Sequence, residues 1–359
     1  MAQSVFTKAK VSGIVTCVPE NHRLLEDEVD ILYNGDIKQV NRIKKSIGLN
    51  KRHIVEDENT TTADLCEIAV NKLLNEMKID KLSIGAIIFV SQTPDYFQPA
   101  TATYLQGKLE LSQNCAAFDV NQGCTGYVYG LWLAHMMIET NSCEKVLVLA
   151  GDTLSKVVNP LDSNVAALFG DAGTATLVEQ SNIEQKTYFT LHTNGTKFDT
   201  IIQPKGAFRK PTKDIIKDER VFETSEKRNL SNLYMDGAEV FNFSIETEPK
   251  AIAEILELSN STQEDIDYIV FHQANKYIIS NIARRLKFPL EKAPSETTGK
   301  YGNQSSASIP CTICDAINED VNTKKIKLVL SGFGVGLSWG TCQLELDKIY
   351  CPEVIFYKK

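Results

Sequence analysis

The chain has 359 residues, of which 43% are hydrophobic and 23% are charged, as is usual for a globular protein with a sizeable core. It contains 38 Lys and Arg residues against 46 Asp and Glu residues, which gives a formal net charge of −8 at pH 7. This acidic balance argues against a nucleic-acid partner, because binding phosphates needs a basic surface. At ~150 residues per domain, the length predicts two or three domains or one large duplicated domain.

The first ten residues, MAQSVFTKAK, are too polar for the apolar core of a signal peptide. No apolar run approaches the ~20 residues of a transmembrane helix, so we expect no membrane partner. Nine cysteines are scattered along the chain, unlike the even, clustered cysteines of secreted disulfide frameworks. These features favour a cytoplasmic location. Cys311 and Cys314 form a lone CxxC in an apolar segment, which indicates helix packing, and we expect no metal site.

Three short apolar segments of the first half recur in the second half in the same order. Segment 87–92 (IIFVSQ) corresponds to 268–273 (YIVFHQ), 147–151 (LVLAG) to 328–332 (LVLSG), and 173–177 (GTATL) to 340–344 (GTCQL). The separation between Ser91 and Gly151 equals that between His272 and Gly332. Three ordered matches with equal spacing predict an internal duplication, with an N-terminal half at 1–182 and a C-terminal half at 183–359.

Helical patterns lie between the repeated strands. Segment 124–139 is apolar around most of its circumference, which predicts a buried helix, and 305–318 occupies the corresponding place in the second half. Outer, amphipathic helices are expected near 62–77 and 248–258. Long buried strands joined by helices predict an α/β fold with mostly parallel sheets. Segment 196–232 is rich in charge and prolines, which predicts a long excursion over the surface or over a site.

The duplication superimposes two loops that carry reactive side chains. Cys124 follows Ser91 at nearly the same separation as Asn303 follows His272. Both loops stand at the N-terminal end of a predicted buried helix, and a pseudo-twofold relation between the halves would bring them together. The sequence therefore predicts that Cys124, His272 and Asn303 converge on one point.

This trio suits acyl transfer from a thioester. A thiolate is the reactive form of cysteine, and the positive end of a helix dipole is expected to lower the pKa of the Cys124 thiol. Cys124 could then carry an acyl group. His272 and Asn303 would donate hydrogen bonds to an oxygen that becomes negative in the next step. Each residue type alone is more often structural, so the prediction depends on the symmetric placement of all three.

Four segments around these residues resemble the signature blocks of the beta-ketoacyl-[acyl-carrier-protein] synthase III family, which has the thiolase fold. They read AFDVNQGCTGYVYGL (117–131), FHQANKYI (271–278), KYGNQSSASIP (300–310) and SGFGVGLSWGT (331–341). GDTLS at 151–155 and LFGDAGTATLVE at 168–179 match the family as well. The resemblance extends over residues 11–345. It implies an α/β, thiolase-like, five-layered αβαβα fold built from two duplicated halves, and a homodimer.

The resemblance also implies a reaction in two steps and no cofactor. Cys124 would attack an acyl thioester, carried by CoA or by an acyl-carrier protein, to give an acyl-enzyme. Malonyl-[acyl-carrier-protein] would then lose CO₂, and the resulting enolate, stabilised by His272 and Asn303, would attack the acyl group to give a 3-oxoacyl product. The backbone N–H groups of Cys124 and of Val335, in the turn 334–336, would form the oxyanion hole. Phe97 matches an aromatic residue that crosses the dimer interface and closes the partner's acyl tunnel.

Two departures from the family pattern concern the binding of CoA. The tryptophan that stacks on the adenine has no aromatic counterpart in QVNRIKKSIGL (39–49), where Arg42 stands near the expected place. The arginine on the other side of the adenine is also missing, since NPLDS ends in Ser163. These departures predict a specialised member of the family and leave both acyl-CoA and an acyl-carrier protein open as the donor.

A carrier protein is acidic, so its docking site on this acidic chain should be locally basic. Lys276, Arg284 and Arg285 follow His272 on one predicted helix, where the family's docking site lies, and we predict that they bind the carrier. Tyr277 stands near where the family has an arginine. The alternative is a solvated helix face without a partner.

Other kinds of enzyme also use a reactive cysteine. An acyltransferase on the same fold could use a non-malonyl acceptor and form an ester, an amide or a ring. A cysteine peptidase also has Cys, His and Asn in this chain order, but the surroundings of Cys124 lack the peptidase signature and the duplicated α/β pattern is the wrong scaffold. Condensation with malonyl-[acyl-carrier-protein] is therefore the main prediction.

Overall fold

The computed structural model describes residues 2–211 and 230–358. In chain order, the strands are β1 (Ala2–Phe6), β2 (Ala9–Pro19), β3 (His22–Leu24), β4 (Lys51–His53), β5 (Ala86–Val90), β6 (Ala116–Val120), β7 (Lys145–Asp152), β8 (Ala172–Gln180), β9 (Thr187–Thr193), β10 (Ile201–Ile202), β11 (Tyr234–Met235), β12 (Tyr268–Phe271), β13 (Lys325–Gly334), β14 (Ser338–Asp347) and β15 (Ile355–Tyr357). The α-helices are α1 (Val29–Tyr33), α2 (Ile37–Ile47), α3 (Thr62–Met77), α4 (Thr101–Lys108), α5 (Gly126–Glu139), α6 (Gly237–Ser259), α7 (Lys276–Leu286), α8 (Thr297–Tyr301), α9 (Ser308–Ala316) and α10 (Asn318–Thr323).

Two large sheets, both of mixed direction, form the body of the protein. The first has the strand order β15-β2-β8-β7-β5-β6, and the second has the order β1-β9-β14-β13-β12. Four neighbouring pairs are parallel, namely β5 with β6, β5 with β7, β15 with β2, and β12 with β13, and the other five are antiparallel. The prediction of mostly parallel sheets is wrong, most clearly for the second sheet. There β13 turns directly into β14, and a direct turn can join only antiparallel strands.

The repeated segments occupy equivalent positions in the two sheets. The order β2-β8-β7-β5 in the first sheet corresponds to β9-β14-β13-β12 in the second, so the three predicted strand pairs are confirmed as structural equivalents. The terminal strands cross between the sheets, because β1 pairs with β9 and β15 pairs with β2. The division of the chain into halves at 1–182 and 183–359 stays a prediction.

Alternate residues of the strands pack against different helix layers. In β5, Ile87 and Phe89 pack with α3 and α4, whereas Ile88 and Val90 pack with the central helices α5 and α9. On the far side of the second sheet, Val329 belongs to a cluster formed with α6 and α7. The sequence of layers is therefore helix, sheet, helix, sheet, helix, and the predicted five-layered αβαβα architecture is confirmed.

The outer helix α3 coincides with the predicted segment 62–77. A capping box between Thr61 and Asp64 begins it, with the Thr61 N–H 2.9 Å from the Asp64 carboxylate.

The predicted CxxC packing is also seen, since Cys311 and Cys314 are buried in α9 within the central core. Within 2–211 and 230–358, no helix has the length and apolar character needed to cross a membrane.

The outer helix α6 is about twice as long as its predicted counterpart 248–258, although it contains Pro249. A proline in a helix lacks the N–H that would bond the carbonyl four residues earlier, here that of Ile245. The Arg285 guanidinium of α7 donates to this carbonyl at 3.0 Å. Arg285 thus supplies the Ile245 carbonyl with the hydrogen bond that Pro249 cannot give, and α6 continues through the proline.

Helix α6 also buries a carboxyl group against the second sheet. One oxygen of Glu248 shares a hydrogen bond with the Ser331 hydroxyl of β13, and the other has no hydrogen-bond partner within the described parts of the chain. Burial raises the pKa of Glu248 from 4.5 to about 8. Between these two values the folded state binds a proton that the unfolded chain has lost, so stability falls as pH rises through this window.

Replacing Glu248 by glutamine should therefore stabilise the fold at high pH. We expect the gain in the free energy of unfolding for Glu248→Gln to grow from pH 5 to pH 8, to a few kcal/mol (on the order of 4). Urea unfolding at several pH values measures this gain. The control Glu257→Gln, on the exposed face of the same helix, should change stability by less than ~0.5 kcal/mol. A gain for Glu248→Gln that is equal at pH 5 and pH 8 would contradict the inference.

Candidate active site

A cavity of about 440 Å³ lies where the two sheets and the helices α2, α6 and α7 meet. Most of its wall is apolar. Its buried end carries polar groups, and the residues there that the sequence had singled out are Cys124, His272, Asn303 and Val335. A mostly apolar cavity with a few convergent polar groups is the usual form of a small-molecule site.

Cys124 lies two residues before α5, in the loop that follows β6. The strand β13 runs so close to this loop that its glycines are required. A Cβ atom on Gly332 would lie 2.9 Å from the Cys124 carbonyl oxygen, and one on Gly334 would lie 2.8 Å from the Cys124 sulfur. The backbone N–H of Val335, the next residue, lowers the pKa of the Cys124 thiol by favouring the thiolate. The turn after β13 therefore holds a backbone donor directly beside the thiol.

The expected lowering of the Cys124 pKa by the helix is not what the structure gives. Burial raises the pKa of this thiol to about 11, because the thiolate loses its hydration. Hydrogen bonds from the Val335 N–H and the Ser305 hydroxyl act in the opposite direction and favour the thiolate, while the nearby Asp152 carboxylate disfavours it. The sequence shows that Cys124 stands at the N-terminus of a helix, so the helix was expected to set the pKa of the thiol. The sequence does not show that β13 encloses the sulfur.

His272 follows β12 and is held on two sides. Its backbone N–H donates to the Ser331 carbonyl at 2.7 Å, and its ring Nδ1 lies 2.7 Å from the Ser308 hydroxyl. The ring also meets Phe333 edge to face, with 5.5 Å between centroids. Burial lowers the pKa of His272 to about 3, so the imidazole is neutral at physiological pH. Because Ser308 engages Nδ1, Nε2 is the ring nitrogen left for a bound molecule.

Asn303 is fixed by backbone pairing with the segment that precedes β8. Its N–H donates to the Leu168 carbonyl at 2.8 Å, and its own carbonyl accepts from the Gly170 N–H at 3.0 Å. The preceding Gly302 has φ +85°, and a Cβ there would lie 2.7 Å from the Gly170 nitrogen. The Asn303 Oδ1 accepts the Ser305 N–H at 3.0 Å, which leaves the amide NH₂ as the group that can donate into the cavity.

Two residues of this site were not identified from the sequence, although both lie in quoted motifs. Ser305 lines the cavity, and its backbone N–H donates to the Asn303 Oδ1 at 3.0 Å. Asp152, at the end of β7, is buried behind it. The signals that could have found them are a carboxyl group at the end of a buried strand and a hydroxyl two residues after Asn303. Neither signal is specific without the tertiary contacts.

Asp152 joins the two halves of the protein through hydrogen bonds. From the first half it accepts the Gln92 N–H at 2.7 Å and the Ser91 hydroxyl at 3.1 Å. From the second half it accepts the Ser306 hydroxyl at 2.9 Å and the Ser306 N–H at 3.3 Å. Burial raises the pKa of Asp152, and these donors oppose the rise. The loop 303–308 is thus anchored to the same strand ends that flank Cys124.

The remaining residues singled out in the sequence lie on the surface and do not line the cavity. Phe97 is 76% exposed, and its ring lies 5.8 Å from that of the exposed Phe208. On α7, the Lys276 ammonium lies 2.6 Å from the Glu296 carboxylate, and Arg285 is bound to Ile245 as described above.

The third basic residue, Arg284, is exposed on the last turn of α7. Its guanidinium has no ion-pair or hydrogen-bond partner within 2–211 and 230–358. Arg284 is therefore the basic side chain of the predicted docking site that is most available to another molecule.

The excursion predicted at 196–232 falls partly outside the described residues, which exclude 212–229. Within the segment, β10 pairs with β11, which begins two residues after the segment ends. Ile201 of β10 lines the apolar part of the cavity, as do Leu233 and Met235 directly after the segment. Of the two alternatives given by the sequence, these positions favour an excursion over a site.

Two family models match the chain. One describes 3-oxoacyl-[acyl-carrier-protein (ACP)] synthase III and covers residues 118–195, and the other describes the C-terminal part of that synthase and covers residues 256–346. A putative 3-oxoacyl-[acyl-carrier-protein] synthase 3 of Campylobacter jejuni is 44% identical over 354 residues, which are 99% of this chain and 98% of the relative. A beta-ketoacyl-[acyl-carrier-protein] synthase III of Clostridium perfringens is 35% identical and covers 94% of this chain and 99% of its own.

The fold agrees with solved structures of the same kind. The crystal structure of a 3-oxoacyl-(acyl-carrier protein) synthase from Burkholderia xenovorans superposes with a TM-score of 0.92 and 36% identity, over 99% of both chains. This similarity identifies the α/β architecture as thiolase-like. Since the sequence and structural relatives both match along nearly its whole length, the chain belongs to the beta-ketoacyl-[acyl-carrier-protein] synthase III family.

Proposed function

We propose that this protein is a condensing acyltransferase that makes a 3-oxoacyl-[acyl-carrier-protein] from an acyl thioester and malonyl-[acyl-carrier-protein]. The observation that carries the proposal is that Cys124, His272 and Asn303 line the buried end of one cavity. A nucleophile and two hydrogen-bond donors then face the same enclosed space, as a reaction through an acyl-enzyme and an enolate requires.

In the first step, the Cys124 sulfur attacks the carbonyl carbon of the acyl thioester. The carbon–sulfur bond to the donor breaks, and the donor leaves as a thiol with the proton that Cys124 gives up. The backbone N–H of Val335, which favours the thiolate form of Cys124, and the N–H of Cys124 are the donors proposed for the oxyanion. Because these donors belong to the backbone, the valine in the turn 334–336 can serve as well as a glycine.

In the second step, malonyl thioester loses CO₂ and the electron pair of the broken bond becomes an enolate. The neutral His272 ring and the Asn303 amide donate hydrogen bonds to the enolate oxygen. The pKa of His272, lowered to about 3 by burial, keeps the ring from protonating between pH 5 and 8. The enolate carbon then bonds the acyl carbon, and the bond from that carbon to the Cys124 sulfur breaks.

Incubation with a radiolabelled acyl thioester tests the first step. The label should attach to the wild-type protein and be absent from Cys124→Ala, since the nucleophile is gone. His272→Ala and Asn303→Ala should still accept the label but release CO₂ from malonyl-[acyl-carrier-protein] ~10²–10³-fold more slowly, because each variant loses one donor to the enolate. Mass spectrometry of the labelled peptide and CO₂ release are the measurements.

The control for the labelling experiment is Cys143→Ala, which removes a partly exposed thiol outside the cavity and should leave the label in place. Labelling of Cys124→Ala would contradict the proposed nucleophile. Product formation without CO₂ release would contradict condensation and favour an acyltransferase with a non-malonyl acceptor.

We propose that the carrier protein docks on α7 next to the cavity, which is lined by Asn275 and Ile278 from the start of this helix. Arg284 supports this proposal most directly, because it is exposed and unengaged within the described residues. Lys276 and Arg285 already have intramolecular partners, so they would contribute less. A basic site on a chain of net charge −8 also implies that carrier binding is sensitive to salt.

Reversing the charge of the docking site should therefore weaken carrier binding. We expect Arg284→Glu to lower the affinity for an acyl-carrier protein by ~10-fold at low ionic strength, and Arg284→Glu/Arg285→Glu to lower it further. Calorimetric titration at two salt concentrations measures both effects. Lys81→Glu/Lys186→Glu, which changes the net charge equally at residues outside the cavity wall, should bind normally. Unchanged affinity in the Arg284/Arg285 variant would remove the proposed docking site.

We further propose a homodimer in which Phe97 contacts the partner subunit. Tyr96, Phe97 and Phe208 are exposed aromatic residues, and the last two lie against each other. β6 is an edge strand of the first sheet whose side chains are exposed or only partly buried. Thr101 links it to the loop of Tyr96 and Phe97, since its N–H donates to Asp119 of β6 and its hydroxyl accepts the Asp95 N–H. An exposed aromatic cluster beside an open strand edge is a typical protein–protein contact surface.

Phe97→Asp tests the dimer, because it places a charge in the middle of this cluster. We expect it to raise the dimer dissociation constant by ~10-fold or more, as measured by sedimentation. Ile183→Asp is the matched control, since Ile183 is 74% exposed but lies on another loop, and it should dimerise like the wild type. A monomeric wild-type protein, or equal dissociation constants for Phe97→Asp and the wild type, would contradict the proposal.

We also propose a cytoplasmic location. All nine cysteines are free thiols, and seven of them are buried. Reduced, unpaired cysteines are typical of proteins kept in a reducing compartment.

A further inference from the structure

The exposed side of α7 carries an aromatic residue next to the cavity. The exposed side chains of this helix are those of Tyr277, Arg284 and Arg285. Tyr277 is 48% exposed, and its hydroxyl has no hydrogen-bond partner within 2–211 and 230–358. A single exposed aromatic residue is ordinary on a protein surface. The contacts and the position of Tyr277 distinguish it from such a residue.

The ring of Tyr277 is held in place by the neighbouring helix. It stacks on Phe241 of α6, with 5.4 Å between the ring centroids and 19° between the ring planes. Phe241 in turn packs against the hydrophobic cluster on the far side of the second sheet. One face of the Tyr277 ring is therefore covered and its orientation is fixed, while the exposed part of the ring remains available. A ring that is fixed before binding loses little conformational entropy when a partner covers it.

The position of Tyr277 connects the cavity with the basic end of α7. Asn275 and Ile278, on either side of Tyr277 in the chain, line the cavity. Arg284 follows Tyr277 by seven residues, which places both on the same face of the helix, ~10 Å apart along its axis. Asn281 lies between them on this face, and its amide donates to the Tyr277 carbonyl at 2.8 Å. Tyr277, Asn281 and Arg284 thus form one continuous strip, which we call the α7 strip.

Charge by itself gives such a surface little affinity. Exposed ion pairs add ~0–1 kcal/mol each and are screened by salt, although opposite charges speed the encounter of two proteins. Aromatic residues that become buried at the centre of an interface contribute most of its binding free energy, and this contribution depends little on salt. The α7 strip offers both kinds of group, with a cation at one end and a fixed aromatic ring at the other.

We propose that Tyr277 is the apolar anchor of carrier docking, against which an apolar side of the acidic carrier protein packs while Arg284 pairs with one of its carboxylates. This inference rests on the proposed docking of the carrier on α7. An acidic protein is favoured over the nucleotide part of CoA because Tyr277 and Arg284 lie on the outer surface of a helix and do not line the cavity. Small molecules bind in concave sites, whereas proteins bind to convex and flat surfaces as well.

The test is calorimetric titration with an acyl-carrier protein at low and at high salt. Tyr277→Ala should lower the affinity ~10–30-fold, because the apolar contact is lost. This loss should be as large at high salt as at low salt, whereas the loss caused by Arg284→Glu should shrink as salt rises. Tyr277→Phe keeps the ring and its stacking on Phe241, so it should bind the carrier like the wild type.

The matched control is Tyr104→Ala, which removes a tyrosine that is 39% exposed on α4. Helix α4 packs on the first sheet and α7 on the second, in opposite outer layers of the fold, so this variant should bind the carrier normally.

Unchanged carrier affinity in Tyr277→Ala would overturn the proposal, and so would a Tyr277→Phe variant that binds as weakly as Tyr277→Ala. Weaker binding of acyl-CoA to Tyr277→Ala, with carrier binding unchanged, would also overturn it and would assign the stacked pair to a nucleotide. None of these results alters the labelling of wild-type Cys124 or its release of CO₂. Failure of the anchor is therefore distinct from failure of the proposed function.

Discussion

The close approach of β13 to the start of α5 is the contact on which the rest of the site depends. Gly332 and Gly334 leave no room for side chains between this strand and Cys124. The approach encloses the thiol and brings the Val335 N–H to its sulfur. It also brings His272 to the cavity, because the His272 N–H donates a hydrogen bond to the Ser331 carbonyl of the same strand. A larger residue at either glycine would push apart the elements that carry the nucleophile and the donors.

Enclosure of this kind changes which form of each group is stable. Burial raises the pKa of Cys124 and lowers that of His272, so both are neutral at rest. Charge then develops only when a substrate reacts, and it meets hydrogen bonds that are already in place. Preorganised donors in a site that excludes water are worth more than the same donors in solution. The proposed roles of Val335, His272 and Asn303 all follow from this property of the cavity.

The basic residues of α7 show why a pattern of charges predicts a binding site less well than a motif of buried residues does. Lys276, Arg284 and Arg285 look equivalent in the sequence. In the structure, Lys276 pairs with Glu296, and Arg285 supplies the donor that Pro249 removes from α6. Arg285 is thus part of the contact between two helices, whatever it binds outside the chain. Arg284 is the residue whose substitution tests docking with the least effect on the fold.

Local patterns in the sequence predicted the repeated strands, the buried helix α5, the outer helix α3, and the positions of Cys124, His272 and Asn303. These depend on apolar periodicity and on motifs within short segments, which are local properties of the chain. Only tertiary packing fixes the strand directions, the crossing of β1 and β15 between the sheets, and the contacts of Asp152. It also decided the sign of the Cys124 pKa shift. Asp152 and Ser306 are far apart in the chain, and burial and hydrogen bonds over such distances arise only when the two halves pack together.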